Sequence, residues 1–238
     1  MRRFLIEPLI RSLPVSHTYF SLDFRLKKFI EGVHVPSRYR HQHWLAAFNE
    51  EEIGVIASGP LRETAQSSPY DQLDTFFREN ASKGEFHNDV LWSYLRTYCM
   101  DQVLAKVDRM SMAHGLEVRA PFLDHTIVEF VLNLPYEYKF RGMTGKYILK
   151  RLMSGRIPAK IINRRKKGFG IPIGRWLQKE LLPLSHELLS REALEKSGMF
   201  NYRGVEKLLI EHESGAKDHR KKLWTLMAFQ LWYNNWAR

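Results

Sequence analysis

The chain has 238 residues, of which 44% are hydrophobic and 26% are charged, and its net charge is +11. This composition is typical of globular proteins and excludes a disordered or fibrous chain. Its single cysteine, Cys99, excludes an internal disulfide and a cysteine-cluster metal site and favours a cytoplasmic location. No apolar run approaches the roughly 20 residues of a membrane span, and none follows the basic start as in a signal peptide, so we expect neither.

Apolar residues recur at helical spacing along most of the chain, which predicts a mainly α-helical fold. The pattern places helices near 70–79, 88–97, 102–113, 125–132, 146–153 and 175–182. A last helix, at about 222–236, is apolar nearly all round, which is typical of a core helix or of one that docks a partner. Glycine, proline and serine residues in the segment 58–69 predict a flexible loop there.

One short segment, 116–122, has an extended pattern in which apolar and charged residues alternate. Pro121 favours an extended conformation for the residue before it. We therefore expect Glu117 and Arg119 to lie on the same side of an extended segment.

The positive charge is concentrated in one part of the chain. Eleven basic residues and no acidic residue lie between Lys139 and Lys167. Such a block predicts an anionic partner, either a polyphosphate, a nucleic acid or an acidic lipid surface. The alternative is a solvated basic face without a ligand.

Lys146 follows Thr144-Gly145 and is predicted to lie in the first turn of a helix. The helix dipole disfavours a cation there unless an anion is also present, and a bound phosphate would reconcile the two. The alternative is a lysine that faces solvent at a small cost in stability.

Two further groups carry charge that can bind phosphate. The run 164–167 leads into a loop with two glycines, which can wrap a triphosphate but equally fits a nuclear-localisation or RNA-binding patch. In the predicted helix 102–113, Lys106 and Arg109 share one face, whereas Asp108 lies on another side. The alternative for this turn is a buried ion pair with Glu117 or Arg119.

Three sequence blocks resemble successive signature blocks of the asparagine synthetase family. They are KVDRMSMAHGLEVRAPFLDH from Lys106, GKYILKRL from Gly145 and RRKKGFGIPIGRWL from Arg164, and their order and spacing match the family. The resemblance implies that residues 1–238 form the C-terminal part of the synthetase domain. That domain has an α/β, adenine-nucleotide α-hydrolase-like (ATP-pyrophosphatase) fold, and its parallel sheet is expected to be largely missing from this chain.

The resemblance also implies a reaction. ATP, with Mg²⁺, activates the side-chain carboxylate of aspartate as an acyl-adenylate, pyrophosphate leaves, and ammonia from a glutaminase domain attacks to give asparagine and AMP. A homodimer of the full-length enzyme is compatible with the family. No nucleic acid and no membrane is expected as a partner.

The same resemblance suggests roles for individual residues. Lys146 matches the family lysine at the reacting phosphates and is the expected catalytic residue, where it would stabilise developing negative charge. The residues expected to bind ATP and pyrophosphate are Lys106, Arg109, Lys166 and Lys167. Those expected to orient the site are Asp108, Glu117 and Arg119, and a purely structural ion pair is the alternative for the last two.

Several family features have no counterpart in this sequence. They are the Ser-Gly-Gly-x-Asp-Ser loop that binds pyrophosphate, a second Gly- and Asp-rich motif upstream, and the glutaminase domain with its cysteine at position two, where this chain has Arg2. We therefore predict no metal site in this chain, expect the metal ligands in the missing part, and expect the isolated chain to be inactive.

Three alternatives stay open at the level of sequence. A related amide-forming synthetase would act on another carboxylate, in a glycan, β-lactam or peptide pathway. A basic helical module would bind nucleic acid, although apolar positions interrupt the basic block and there is no obvious recognition helix. An interaction subunit would be completed by a separate protein that carries the missing loop and the glutaminase.

Overall fold

A computed structural model of the chain describes residues 2–16, 21–80, 85–164 and 170–237. The chain divides into two compact units, the first formed by Met1–Tyr70 and Phe169–Arg238 and the second by Asp71–Gly168. The described residues are mostly helical with one small two-stranded sheet, which confirms the predicted mainly helical character. No helix within these ranges is both long enough and apolar enough to cross a bilayer.

The elements follow one another along the chain. The first unit begins with the helices α1 (Arg2–Arg11), α2 (Leu22–Val33), α3 (Ser37–Leu45), α4 (Glu50–Ile56) and α5 (Gly59–Thr64). The second unit contains α6 (Asp71–Asn80), α7 (Phe86–Tyr94), a π-helical segment (Leu95–Leu104), α8 (Ala105–Met112), a 3₁₀ turn (Pro121–Leu123), α9 (His125–Asn133), α10 (Tyr136–Lys139), β1 (Phe140–Arg141), β2 (Thr144–Gly145), α11 (Tyr147–Met153) and α12 (Ala159–Ile162). The first unit then resumes with α13 (Ile173–Gln178), α14 (Leu182–Leu188), α15 (Arg191–Ser197), α16 (Tyr202–Glu213) and α17 (Arg220–Trp236).

The first unit has a hydrophobic core around α17. Leu223, Leu226 and Met227 of this helix are buried, and they pack with buried leucines and other apolar residues of α13, α14, α15 and α16. Burial of one such side chain stabilises the fold by about 1.5–3 kcal/mol, so this cluster is the main source of stability in the unit. The prediction that α17 is a core helix is confirmed for one face, while Trp224, Trp232 and Trp236 on other faces are exposed.

Helix α4 is tied to the start of α16 by two backbone hydrogen bonds. The Ser58 N–H donates to the Met199 carbonyl at 2.9 Å, and the Asn201 N–H donates to the Ile56 carbonyl at 2.7 Å. Between them, Gly59 has a φ of 47°, and a Cβ there would lie 2.6 Å from the Gly198 carbonyl oxygen. This position therefore requires glycine both for its backbone conformation and for its close approach.

A buried polar network joins the end of α16 to the start of α17. The His219 N–H donates to His212 Nδ1 at 3.2 Å, so Nε2 carries the proton and donates to the Gly174 carbonyl at 3.1 Å. Burial alone would raise the pKa of Asp218, but the hydrogen bonds and charge of Arg220 hold it below its usual value. Burial also lowers the pKa of His219, against the hydrogen bond that its ring makes with Glu211.

The second unit is organised around one long helical rod. α7, the π-helical segment and α8 run on without a break from Phe86 to Met112. The sequence pattern predicts two helices in this stretch, near 88–97 and 102–113, whereas the structure has one. The chain between them contains neither proline nor glycine, so nothing in it interrupts the helix.

The predicted flexible loop at 58–69 is wrong for its first half, which forms α5. Pro60 occupies the first turn of this helix, where its missing N–H removes no hydrogen bond and its fixed φ suits the helix. The Gly59-Pro60 pair therefore starts a helix here.

Two helical glycines of the first unit provide a matched pair of predictions. In α2, a Cβ on Gly32 would lie 2.1 Å from Trp44 Nε1, whereas in α4 a Cβ on Gly54 would meet nothing within 4 Å. We expect Gly32→Ala to destabilise the protein by about 1–3 kcal/mol through overpacking. Gly54→Ala should stabilise it by about 0.5–1 kcal/mol through backbone entropy. Urea unfolding measures both, and equal effects would contradict the described packing of α2 against α3.

Lys221 gives a prediction about pH. Its ammonium group donates to the backbone carbonyls of Trp44 and Leu45 at the end of α3, and burial, with a smaller effect of Lys28, lowers its pKa from 10.5 to about 8. Between these two values the unfolded chain binds more protons than the folded chain, so this group makes stability rise with pH. Below about pH 8 both states are protonated and the full cost of burying the charge is present.

Replacement of Lys221 by Gln should remove this pH dependence. We expect the free energy of unfolding of wild type, relative to that of Lys221→Gln, to increase between pH 7.5 and pH 9.5 in urea titrations. Subtracting the free energy of unfolding of Lys221→Gln from that of wild type cancels the contributions of the other groups that titrate in this pH range. A difference that is constant or that falls with pH would show that the amine is not buried as described.

Candidate functional site

Lys146 lies at the junction between the small hairpin and α11. The hairpin pairs Phe140 with Gly145 and Arg141 with Thr144, and α11 begins at the next residue after Lys146. The backbone of Lys146 is left-handed, with φ 56° and ψ 39°, and within the described ranges it is the one residue other than glycine with a positive φ. The sequence pattern placed Lys146 inside the first turn, whereas the structure places it at the N-cap.

A left-handed conformation is unfavourable for a residue with a Cβ, by roughly 1–2 kcal/mol. The side chain of Lys146 is exposed and makes no hydrogen bond or ion pair with another described residue. Neither a cap bond nor an ion pair to those residues compensates the strain. The free ammonium group at this strained turn is therefore the feature that marks Lys146.

Two cations of the basic block have structural partners. Lys139 Nζ donates to Asn88 Oδ1 at 2.6 Å and to the Leu132 carbonyl at 3.1 Å, which links the start of the rod to the end of α9. Burial lowers the pKa of Lys139, while Glu85 acts in the opposite direction. Arg141 lies 5.4 Å from the centre of the Tyr147 ring and donates to its hydroxyl at 3.2 Å, so it braces the hairpin against α11.

Other cations of the block have no partner among the described residues. Exposed basic side chains without a hydrogen bond or ion pair to a described residue are Lys146, Arg151, Arg156, Lys160 and Arg164. Lys150 is half-buried. Lys166 and Lys167, which are expected to bind pyrophosphate, lie outside the described residues.

Helix α8 presents the second group of predicted site residues. Lys106 and Arg109 are exposed, three positions apart, and thus on one face of the helix, as the sequence predicted. Neither makes an ion pair with a described residue. Asp108 is exposed as well, and its backbone carbonyl accepts a hydrogen bond from Ser111 Oγ at 3.1 Å.

Glu117 and Arg119 pair with each other. Arg119 Nη2 lies 2.7 Å from Glu117 Oε1, and the side chains are 68% (Glu117) and 86% (Arg119) exposed. The two residues thus lie on the same side of a segment that is not part of a sheet, as expected. The alternative of a buried ion pair to α8 is wrong, because the pair is exposed and is formed within this segment. An exposed pair of this kind contributes little to stability.

Asp124, which the sequence reasoning did not single out, has a structural role in the same signature block. It is the N-cap of α9 and accepts hydrogen bonds from the backbone N–H of Thr126 at 2.9 Å and from the Thr126 hydroxyl. These hydrogen bonds lower the pKa of Asp124. The sequence pattern Asp-His-Thr before an apolar helix could have identified this cap.

The arrangement has chemical consequences. Lys146, Lys106 and Arg109 are all exposed, and none of their side chains makes a hydrogen bond or an ion pair with a described residue. Arginine and lysine side chains of this kind suit phosphate oxygens. No group of three His, Cys, Asp or Glu side chains in the described ranges is placed to hold a metal ion.

Comparison with known proteins identifies relatives of the chain. A family model described as asparagine synthase matches residues 16–234. Asparagine synthetase (glutamine-hydrolyzing) 1 of Bacillus subtilis (strain 168) is 30% identical over 164 residues, which is 69% of this chain and 26% of that protein. A putative asparagine synthetase (glutamine-hydrolyzing) of Mycobacterium tuberculosis (strain ATCC 25618 / H37Rv) is 34% identical over 140 residues, 58% of this chain and 21% of that protein.

A shorter match extends to animals. Asparagine synthetase (glutamine-hydrolyzing) of Gallus gallus is 39% identical over 67 residues, which is 27% of this chain and 12% of that protein. The chain thus spans about a quarter or less of the length of these relatives. No solved structure matches the chain. Because the family match runs over most of the sequence, the chain belongs to the asparagine synthase family.

Proposed function

We propose that the chain supplies one wall of the ATP and aspartate site of a glutamine-hydrolysing asparagine synthetase. In this proposal residues 1–238 are the C-terminal part of the synthetase domain, whose α/β ATP-pyrophosphatase fold is completed by polypeptide outside this sequence. The observation that carries the proposal is the free ammonium group of Lys146, at a left-handed turn within a family signature block.

The proposed role of Lys146 follows from its position. Adenylation and amide formation both develop negative charge on phosphate and acyl oxygens, and a cation fixed beside them stabilises that charge. The hairpin and α11 hold the backbone of Lys146 on both sides, and Arg141 braces the two elements. The turn therefore fixes the point from which the side chain of Lys146 starts, while the exposed ammonium group stays available to an anion.

Lys106 and Arg109, with Lys166 and Lys167, are proposed to neutralise pyrophosphate. The described pair, Lys106 and Arg109, supports this role because both side chains are exposed on one face of α8 and engage no described carboxylate. The Glu117–Arg119 pair, which has no net charge, is proposed to orient the site. Asp108, on α8, is proposed to have the same role. ATP would supply the adenylyl group when bound. Magnesium would be held by residues outside this chain.

The proposal also explains why several parts of the reaction need other polypeptide. The sequence contains no Ser-Gly-Gly-x-Asp-Ser loop, and no described cluster of acidic side chains can hold Mg²⁺. We propose that ammonia reaches the site from a glutaminase domain outside this sequence. Aspartate is the proposed carboxylate because the relatives carry the name asparagine synthetase.

The activity test uses a chimeric synthetase in which this sequence replaces the aligned segment of the Bacillus subtilis relative. Lys146→Ala should lower asparagine formation and pyrophosphate release by about 10²–10³-fold, which is the usual effect of removing one group that stabilises developing charge. Lys160→Ala is the matched control, because Lys160 is another exposed lysine without a described partner but lies outside the three signature blocks. Its activity should stay within about twofold of wild type.

Comparable rates for Lys146→Ala and wild type would contradict the role of this lysine. The same assays on the chain alone, with ATP, aspartate and ammonia, should show no asparagine. Measurable turnover by the isolated chain would contradict the proposal that the site is incomplete.

A stability measurement separates the effect of the Lys146 charge from the effect of its left-handed backbone conformation. Glycine adopts the left-handed conformation without a steric cost, so Lys146→Gly should be about 1 kcal/mol more stable than Lys146→Ala in urea unfolding. Both variants should lose activity to a similar extent in the chimeric synthetase, because both lack the ammonium group. If Lys146→Gly retained activity that Lys146→Ala lost, the turn and not the charge would matter.

A further inference from the structure

A cavity of about 690 Å³ lies in the first unit, where α2 and the segment 12–15 meet the N-terminal end of α17. Seven of its described lining residues are lysine or arginine and four are aspartate or glutamate, so the lining has an excess of positive charge. None of them belongs to the three signature blocks or to the second unit. The proposed ATP and aspartate site therefore does not account for this cavity.

Most cations of the lining are already paired with a carboxylate. Lys222 is one of them, because its Nζ lies 2.5 Å from Glu52 Oε1. Lys221 differs, because its Nζ contacts the backbone carbonyl oxygens of Leu45 and, at 3.5 Å, of Trp44. Among the described residues, Lys221 is thus the cation of this lining that no carboxylate neutralises.

The contacts of Lys221 suit an uncharged amine as well as an ammonium group. An ammonium group has three N–H donors, whereas an uncharged amine has two N–H donors and one lone pair. The two carbonyl oxygens can accept both N–H groups of the amine, and the lone pair is then left without a partner among the described residues. This lone pair makes the amine a nucleophile, and Lys221 lines a cavity that can admit an electrophile.

Electrostatics favours the uncharged form of Lys221. Burial, with a smaller effect of Lys28, lowers its pKa to about 8, while Glu31 acts in the opposite direction. About a quarter of such groups are uncharged at pH 7.5, against about one in a thousand for an ordinary lysine. Desolvated lysines with a lowered pKa are the ones that proteins use as nucleophiles.

We propose that Lys221 is a site of covalent acylation by small acyl phosphates, which enter the cavity of the first unit. The excess positive charge of the lining attracts these anionic reagents. This inference is independent of the proposed function, because it involves neither Lys146 nor the second unit.

The acylation step needs no co-reactant other than the acyl phosphate. The lone pair of the amine attacks the acyl carbon and a C–N bond forms. The bond between that carbon and the bridging phosphate oxygen breaks, inorganic phosphate leaves with the electron pair, and the proton of the amine passes to water. The product is an uncharged amide whose remaining N–H can still donate to the Leu45 carbonyl. Acylation therefore removes a half-buried charge and keeps one hydrogen bond.

The test compares three lysines that lie close together in the sequence. The full chain is incubated with acetyl phosphate at pH 7.5, and tandem mass spectrometry follows acetylation of Lys217, Lys221 and Lys222. The side chains of Lys217 and Lys222 are 59% and 17% exposed, and each is paired with a carboxylate. A less basic amine is a weaker nucleophile, which offsets part of its larger uncharged fraction. We therefore expect Lys221 to react at least about tenfold faster than either neighbour.

The pH profile gives a readout that exposure alone would not produce. In the folded chain, the rate at Lys221 should rise up to about pH 8 and then level off, because the amine is by then largely uncharged. In guanidinium chloride, the preference for Lys221 should disappear and its rate should keep rising towards about pH 10, as for an ordinary lysine.

Two further arms test the surroundings of Lys221. Lys28→Gln removes a like charge and should slow acetylation of Lys221 at pH 7.5 at least about twofold. Lys207→Gln is the matched control, because Lys207 is exposed on α16 and does not line the cavity, and it should react like wild type. Excess inorganic phosphate, added at constant ionic strength, should compete for the cavity and slow acetylation of Lys221 but not of Lys217.

Four results would overturn the proposal. They are a rate at Lys221 no higher than at Lys217 and Lys222, a preference for Lys221 that persists in the unfolded chain, a rate in the folded chain that keeps rising above pH 9, and acetylation of Lys221 that inorganic phosphate does not slow. The second result would assign the reactivity to local sequence, and the last would show that the cavity does not recognise the phosphate group.

Discussion

The uneven burial of apolar residues is the constraint on which the rest of the structure depends. The first unit closes a core around α17, with Leu223, Leu226 and Met227 at its centre. In the second unit, α8 to α12 contain no buried residue, because none of the described residues from Tyr98 to Arg164 is buried. Packing rather than helix propensity supplies most of the stability of helices in proteins, so the helices α8 to α12 should be less stable than those around α17. The exposed apolar residues and the cations without a described partner thus lie in the same unit.

Lys146 is the residue on which the proposed chemistry depends. The fold holds it in a conformation that a lysine adopts at a cost, while Lys139 and Arg141 nearby are used as structural links. Strained backbone of this type is found often at functional sites, where surrounding structure fixes it. Within one basic block the structure thus separates cations that hold the hairpin in place from those that are free to meet an anion.

Much of the fold and of the candidate site could be predicted from the sequence. The features that could not be predicted were missed for physical reasons. Apolar periodicity located α9 and α17 well, because both helices have strong patterns, and the signature blocks gave the family. The left-handed turn at Lys146 was not predictable, because no short-range pattern marks a lysine for that conformation. The extended segment with Glu117 and Arg119 was correctly placed, but the exposure of the pair depends on tertiary packing, which alternation does not report. Gly59-Pro60 suggested a loop because glycine and proline are common in turns. The prediction failed because a proline in the first turn of a helix removes no hydrogen bond, so the same dipeptide can also start a helix.

Hydrogen exchange of the isolated chain, followed by mass spectrometry of its peptides, tests the central claim most directly. Because α8, α9 and α11 contain no buried residue, their amides should exchange much faster than those of α16 and α17, which surround the buried cluster of the first unit. Equal protection of the two units in the isolated chain would contradict the account.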